Sequence, residues 1–250
     1  MSNFVLVHGS WHGAWCWYKI VPRLRALGHY VDAVEMPGHG RDWTPPAEVG
    51  VEDYIGRIHE AIDRAPGPVV LVAHSRGGLA TTQAAEGRHE RIATLVYLAA
   101  YLLADGQSVL DVAPSDTDSL VLPNLELDPE GHWDMLRADA FEDALYADCS
   151  PEDVALAHAL LTSEPLAPSK ARMQLSEERY GTIPRVYIEL LEDRAVSPAL
   201  QKRLYTATPC NEVRSIEASH SAYFSVPDEL TAHLHEIAAQ AYGPLPAAAA

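Results

Sequence analysis

Pro68-Val69-Val70-Leu71-Val72-Ala73-His74-Ser75-Arg76-Gly77-Gly78 is the stretch that decides the fold. Its first half is a short, β-branched apolar run, which reads as a buried strand. Its second half places a serine between small residues and opens a stretch with helical character, from Gly78 to Glu86. A serine on so sharp a strand-to-helix turn is a variant of the G-x-S-x-G nucleophile elbow, with Ala73 in place of the first glycine. The turn is tight enough that the residues two before and two after the serine must be small, and Ala73 and Gly77 are. The same letters also fit a serine turn that merely caps a helix. The strand before it and the helix after it favour a nucleophile.

Outward from this turn the chain keeps one rhythm. Phe4–Val7, Tyr30–Met36, Ile92–Ala100, Arg185–Leu190 and Glu212–Glu217 read as further strands. Tyr18–Leu27, Val51–Ala65 and Pro227–Tyr242 carry apolar residues at helical spacing, such as Ile55, Ile58 and Ile62. Strands alternating with helices predict an α/β class with a mostly parallel sheet of about six strands, covered by helices on both faces. The rhythm breaks between 103 and 182, a polar, acidic stretch rich in helix signals. Among them is Ser150-Pro151, an N-cap followed by proline at the first helical position. The expected division is therefore a core of 1–102 and 183–243, a helical cap of 103–182 inserted after the fourth strand, and a loose tail at 244–250.

In open α/β sheets ligands sit beyond the carboxyl ends of the strands, so the residues just after each strand carry the chemistry. A serine hydroxyl needs a base. His220, in Glu217-Ala218-Ser219-His220-Ser221 after the last strand, stands in the loop where this order of elements puts it. The orienting acid belongs after the preceding strand, where Glu192 and Asp193 are adjacent; Asp193 is the first choice and Glu192 the alternative. Two backbone N–H groups are needed for an oxyanion. They are expected from Arg76, directly after the nucleophile, and from Ser10 in the loop His8-Gly9-Ser10-Trp11.

Other chemistries find little support. The 250 residues carry 35 acids against 18 Lys and Arg, a formal net charge of −17, which disfavours nucleic acid and anionic membrane surfaces as partners. No uncharged apolar run approaches the roughly 18 residues of a membrane span. Three scattered cysteines, Cys16, Cys149 and Cys210, read as free thiols in a reducing compartment. The N-terminus lacks the pattern of a signal peptide, and a cytoplasmic location is expected. His8-x3-His12 and His233-x-His235 lack a third ligand, so no metal is expected, and no glycine fingerprint points to a nucleotide or other cofactor.

Phe4-Val5-Leu6-Val7-His8-Gly9-Ser10-Trp11-His12-Gly13-Ala14-Trp15-Cys16-Trp17 resembles the opening of the plant hydroxynitrile lyase and methyl-salicylate esterase group and its bacterial esterase relatives. Ala26-Leu27-Gly28-His29, Glu192-Asp193-Arg194-Ala195-Val196 and the surroundings of His220 continue the likeness. It implies the α/β-hydrolase fold and a serine esterase acting on a small or medium carboxylic ester. Lyase members carry lysine after the catalytic histidine and threonine near the first strand. Here those positions are Ser221 and Gly9, which favours an esterase. Two other readings stay open: a lyase or decarboxylase using the Ser–His pair as a base, and a non-catalytic ligand-binding receptor. The Arg76 side chain departs from the small or apolar residue usual in relatives; it either binds substrate or pairs with an acid. Trp133 likewise either lines a substrate tunnel or packs the cap on the core. Oligomeric state and natural substrate have no signature in the sequence.

Overall fold

Every strand read from the rhythm joins one parallel sheet. The computed structural model describes residues 1–242, so the expected tail at 244–250 lies outside the described residues. The strands are β1 (Asn3–Val7), β2 (Tyr30–Val34), β3 (Val69–His74), β4 (Ile92–Leu98), β8 (Arg185–Leu190) and β9 (Glu212–Ile216). Their order is β2-β1-β3-β4-β8-β9. The chain runs from β1 to one side and returns at β3 on the other, so the loops after β1 and β3 lie side by side at the switch point.

Residues alternate between the two faces. Val5, Val7, Leu71, Ala73 and Leu95 turn toward α2 (Val51–Arg64) and α3 (Gly77–Arg88). Phe4, Leu6, Val70, Val72 and Val96 turn toward α1 (Ile20–Ala26) and α10 (Pro227–Tyr242). Because both faces are buried, the central strands read as unbroken apolar runs. Helix α2 buries Tyr54, Ile55, Ile58, Ala61 and Ile62, the i, i+3, i+4 stripe its sequence predicts.

The insertion between β4 and β8 holds the short helices α4 (Val109–Val112), α5 (Phe141–Leu145), α6 (Pro151–Leu160) and α7 (Ala167–Lys170). Ser150 caps α6 as its sequence suggests, its hydroxyl accepting the Asp153 N–H at 3.2 Å. The insertion also contains a small antiparallel sheet, β5 (Leu125–Leu127), β6 (Trp133–Leu136) and β7 (Glu164–Pro165), which the helix signals did not announce. These strands are two to four residues long, too short for alternation to register. Helix α8 (Pro198–Ala207) is a second unannounced element, although Ser197-Pro198 repeats the start signal of α6 and the Ser197 hydroxyl accepts the Leu200 N–H at 3.1 Å. Helix α9 (Ala222–Ser225) follows β9.

Three backbones meet at the turn after β3. A Cβ on Gly77 would stand 2.3 Å from the His8 carbonyl oxygen, and one on Gly78 would stand 2.4 Å from that of Tyr101. Gly78→Ala is therefore expected to cost roughly 1–3 kcal/mol and to lower Tm by about 2–12 °C. Gly56, inside α2, has nothing within 4 Å of a Cβ. Gly56→Ala should raise Tm by about 1–4 °C through helix propensity alone. Thermal unfolding of the two variants beside the parent checks both signs.

Candidate active site

Ser75 sits at φ +53°, a left-handed conformation that a non-glycine residue keeps only where its surroundings hold it there. Its amide donates to the Leu98 carbonyl at 3.3 Å, and its carbonyl accepts from Tyr101 at 3.0 Å and Gly78 at 3.1 Å. With the backbone fixed on both sides, the side chain projects from the carboxyl end of the sheet. It shares a cavity with His220, Ser10 and Arg76, walled by Tyr101, Val121, Leu145 and Val196. The cavity measures about 30 Å³, room for about two waters. The serine hydroxyl makes no hydrogen bond among the described residues; such contacts commonly tighten only when substrate is bound.

The loop after β9 brings His220 to the loop after β8. His220 Nδ1 lies 2.7 Å from Asp193 Oδ2. Asp193 Oδ1 accepts the amides of Ala195 at 2.7 Å and Val196 at 3.0 Å. Glu192, the alternative acid, is exposed and has no contact with the imidazole. Gln201, from α8, also reaches this carboxylate: its amide nitrogen donates to Val196 O at 2.7 Å and approaches Asp193 Oδ2 at 3.4 Å. Behind the ring, His74 donates from Nε2 to the His220 carbonyl at 2.9 Å, and the two rings lie tilted at 48° with centres 4.4 Å apart. Burial drives the His74 imidazole well below its ordinary pKa, helped by the nearby His220. It is held neutral, so no second imidazolium competes with that of His220.

The two amides expected to face an oxyanion, Ser10 and Arg76, donate to no acceptor among the described residues. The peptide carrying the Ser10 N–H is aimed by an unanticipated residue. His8 Nδ1 lies 2.8 Å from the Gly9 carbonyl, while His8 Nε2 accepts the Met36 amide at 3.3 Å. The ring proton therefore resides on Nδ1. Burial, reinforced by His39, pushes the His8 pKa down to about 3, which keeps that tautomer. His12 repeats the arrangement. Its Nδ1 bonds the Ser10 carbonyl at 2.7 Å, and its Nε2 accepts the hydroxyls of Tyr146 and Tyr223. Burial lowers its pKa to about 4. The pair His8-x3-His12 thus orients backbone, with both ring nitrogens of each already engaged.

The Arg76 side chain is buried against Asp134 of β6, with guanidinium-to-carboxylate distances of 2.6 and 3.3 Å, and its charge lies 5.5 Å from the Trp11 ring centre. Burial works against this cation, but the Asp134 and Glu164 charges reverse the effect and leave its pKa raised. Arg76 is thus a structural pair as well as part of the cavity wall. Trp133 does not line the cavity. Along β6, Asp134 and Leu136 turn inward and are buried, so the alternation of the strand carries Trp133 and Met135 to the other side.

Four carboxylates of the insertion fasten the catalytic loops. Asp134 holds Arg76 beside the nucleophile. Glu164 accepts the Trp11 amide beside Ser10 at 3.0 Å. Asp148 accepts both the amide and the hydroxyl of Ser219, beside His220. Asp116 accepts the Ser197 amide at 2.9 Å and its hydroxyl, at the end of the Asp193 loop. Sequence reading missed all four, because nothing local separates them from the other acids of the stretch.

A model of the alpha/beta hydrolase family matches residues 4–233. Methylesterase 1 of Arabidopsis thaliana is 34% identical over 95% of this chain and 96% of its own length. "Putative methylesterase 11, chloroplastic", also from Arabidopsis thaliana, is 32% identical over 95% of this chain, and the chain spans 64% of that protein's length. Among solved structures, the Arabidopsis methylesterase MES16 superposes with a TM-score of 0.84 at 28% identity, covering 95% of this chain and 98% of that one. Tomato methylketone synthase I, solved with 2-tridecanone, gives 0.87 at 29% identity, covering 96% and 98%.

Asp193→Asn keeps the shape but offers an N–H where the imidazole Nδ1–H needs an acceptor. It is expected to reduce kcat by about 10³- to 10⁴-fold. Glu192→Gln, in a side chain that points to solvent, should cost less than about tenfold. Steady-state kinetics on a p-nitrophenyl ester compare the two, and a reversed order would reassign the acid.

Proposed function

The chain belongs to the alpha/beta hydrolase family, and within it we propose that this protein is a serine hydrolase of small carboxylic esters, methyl esters of apolar or aromatic acids foremost. The observation that carries the reading is one cavity lined by Ser75, His220 and the two residues with unengaged amides, with Asp193 bonded to the imidazole behind it. In this scheme Ser75 Oγ attacks the ester carbonyl while His220 Nε2 takes its proton. Asp193 stabilises the imidazolium without accepting the proton. The amides of Ser10 and Arg76 meet the oxyanion. His220 returns the proton to the leaving alcohol, and water then releases the acid from Ser75 by the same steps. The cavity measures only about 30 Å³, so an acyl group needs Val121 and Leu145 of the insertion to draw back.

A lyase-type site fits less well. A Cβ on Gly9 would stand 2.6 Å from Ser75 Cβ, which leaves no place for the threonine of lyase members, and Ser221 spends its hydroxyl on Tyr223 at 3.1 Å. The methylesterase names of the relatives point the same way.

Ser75→Ala is expected to remove about 10⁴- to 10⁶-fold of kcat on p-nitrophenyl acetate or butyrate, since the members of such a unit fail together. A fluorophosphonate probe should label the parent on the peptide containing Ser75 and leave the variant unlabelled. Dialysis against EDTA should leave the rate unchanged, because backbone amides supply the electrophilic help in this scheme. A folded Ser75→Ala protein retaining a tenth of parent activity would sink the assignment.

A further inference from the structure

We propose that Asp134 and Glu164, which face each other across β6 and β7, are positioning residues for the oxyanion hole. The proposal rests on the ester-hydrolase reading above. The two carboxylates are direct cross-strand partners and both are buried. Like charges in that relation destabilise a strand pair, and an apolar pair would cover a core at less expense. What the two acids do instead is grip Arg76, whose amide faces the oxyanion, and Trp11, which directly follows Ser10.

Trp11 is held by the insertion at every polar group it has. Its N–H donates to Glu164 Oε2 at 3.0 Å, its indole N–H to Asp134 Oδ1 at 2.9 Å, and its carbonyl accepts the Thr162 amide at 2.9 Å. It needs holding, because its φ is +63°, a strained value for so bulky a residue. Trp11 directly follows Ser10. The peptide joining them is fixed by Glu164 on the N–H side and His12 on the C=O side, which sets the direction of the preceding Ser10 amide. The second oxygen of Asp134 takes the Arg76 guanidinium at 2.6 Å, so the same pair reaches the other donor.

The cluster is also balanced in charge. Arg76 answers Asp134. His39 Nε2 lies 2.9 Å from Glu164 Oε2, and Tyr54 donates to Oε1 at 3.1 Å. Burial opposes both charges of the His39–Glu164 pair, yet their mutual attraction raises the His39 pKa and pulls that of Glu164 down to about 2. Each of the two acids thus faces a basic partner beside the hole. Donors aimed in advance stabilise the transition state more than the ground state, so loosening them lowers kcat and spares KM.

The test measures kcat, KM and Tm on p-nitrophenyl butyrate, with Ki for an alkyl trifluoromethyl ketone whose hemiketal oxyanion occupies the hole. Glu164→Leu is expected to lower kcat by about 10- to 100-fold, with KM within about threefold and Ki rising in step with the loss in kcat/KM. Glu164→Gln, which keeps an acceptor for the Trp11 amide, should recover most of the rate. A loss confined to KM, an unchanged kcat, or a Ki that stays level while kcat falls would overturn the proposal. Should Glu164→Leu fail to fold, Trp11→Phe carries the test: it removes the indole N–H and its bonds to Asp134 while keeping an aromatic ring in the cavity wall, and an unchanged kcat and Ki there overturn the role. Absence of turnover in the parent would overturn the ester-hydrolase reading and this inference together, whereas an active parent with an unaffected variant overturns this inference alone.

Discussion

Ser75 keeps its left-handed backbone because three chain segments press against it with no side chains between them. Gly77 lies against the His8 carbonyl, Gly78 against the Tyr101 carbonyl, and Gly9 against the serine's own Cβ. That close approach sets the spacing of β1 and β3 at their carboxyl ends. It starts α3 directly beneath the nucleophile and brings the amides of Ser10 and Arg76 to one side of a single hydroxyl. A methyl group at any of the three contacts would move the serine relative to its partners, and catalytic geometry tolerates little of that.

Around this steric centre the polar architecture divides into two parts. Imidazoles serve the backbone from within the core. His8 and His12 hold the peptides on either side of Ser10, and His74 holds the carbonyl of His220. Burial keeps these three neutral, and their hydrogen-bond partners set their tautomers. Carboxylates serve the catalytic loops from the insertion: Asp116, Asp134, Asp148 and Glu164. The acidity of the stretch between β4 and β8 thus has a local use. An anion accepts several N–H and O–H donors at once, and loop ends are rich in donors that no strand or helix satisfies.

The cavity left between these two parts is small because the insertion lies directly on the loops it fastens. Val121 and Leu145 close it from that side, while Tyr101 and Val196 close it from the core. The segment that sets the room for substrate is therefore the segment that orders the catalytic loops.

Sequence alone determined the parallel sheet, its six strands and the elbow, because these rest on periods of two and 3.6 and on small residues at fixed offsets, all local signals. It also determined the order of Ser75, Asp193 and His220 along the chain, since each follows a strand that announces itself. It left Asp193 and Glu192 open, because adjacent side chains diverge and only the folded loop turns one of them toward the imidazole. It left Arg76 and Trp133 open for the same kind of reason: their surroundings come from β6, a strand of four residues with no periodic signature. It was silent on the anchoring acids. Glu164 meets Trp11 across 153 positions, and Asp134 meets Arg76 across 58. With 35 acids in the chain, composition cannot distinguish the few that tertiary contact buries against a catalytic loop. Pairing of that kind belongs to the fold in three dimensions, where desolvation and donor geometry select the partner.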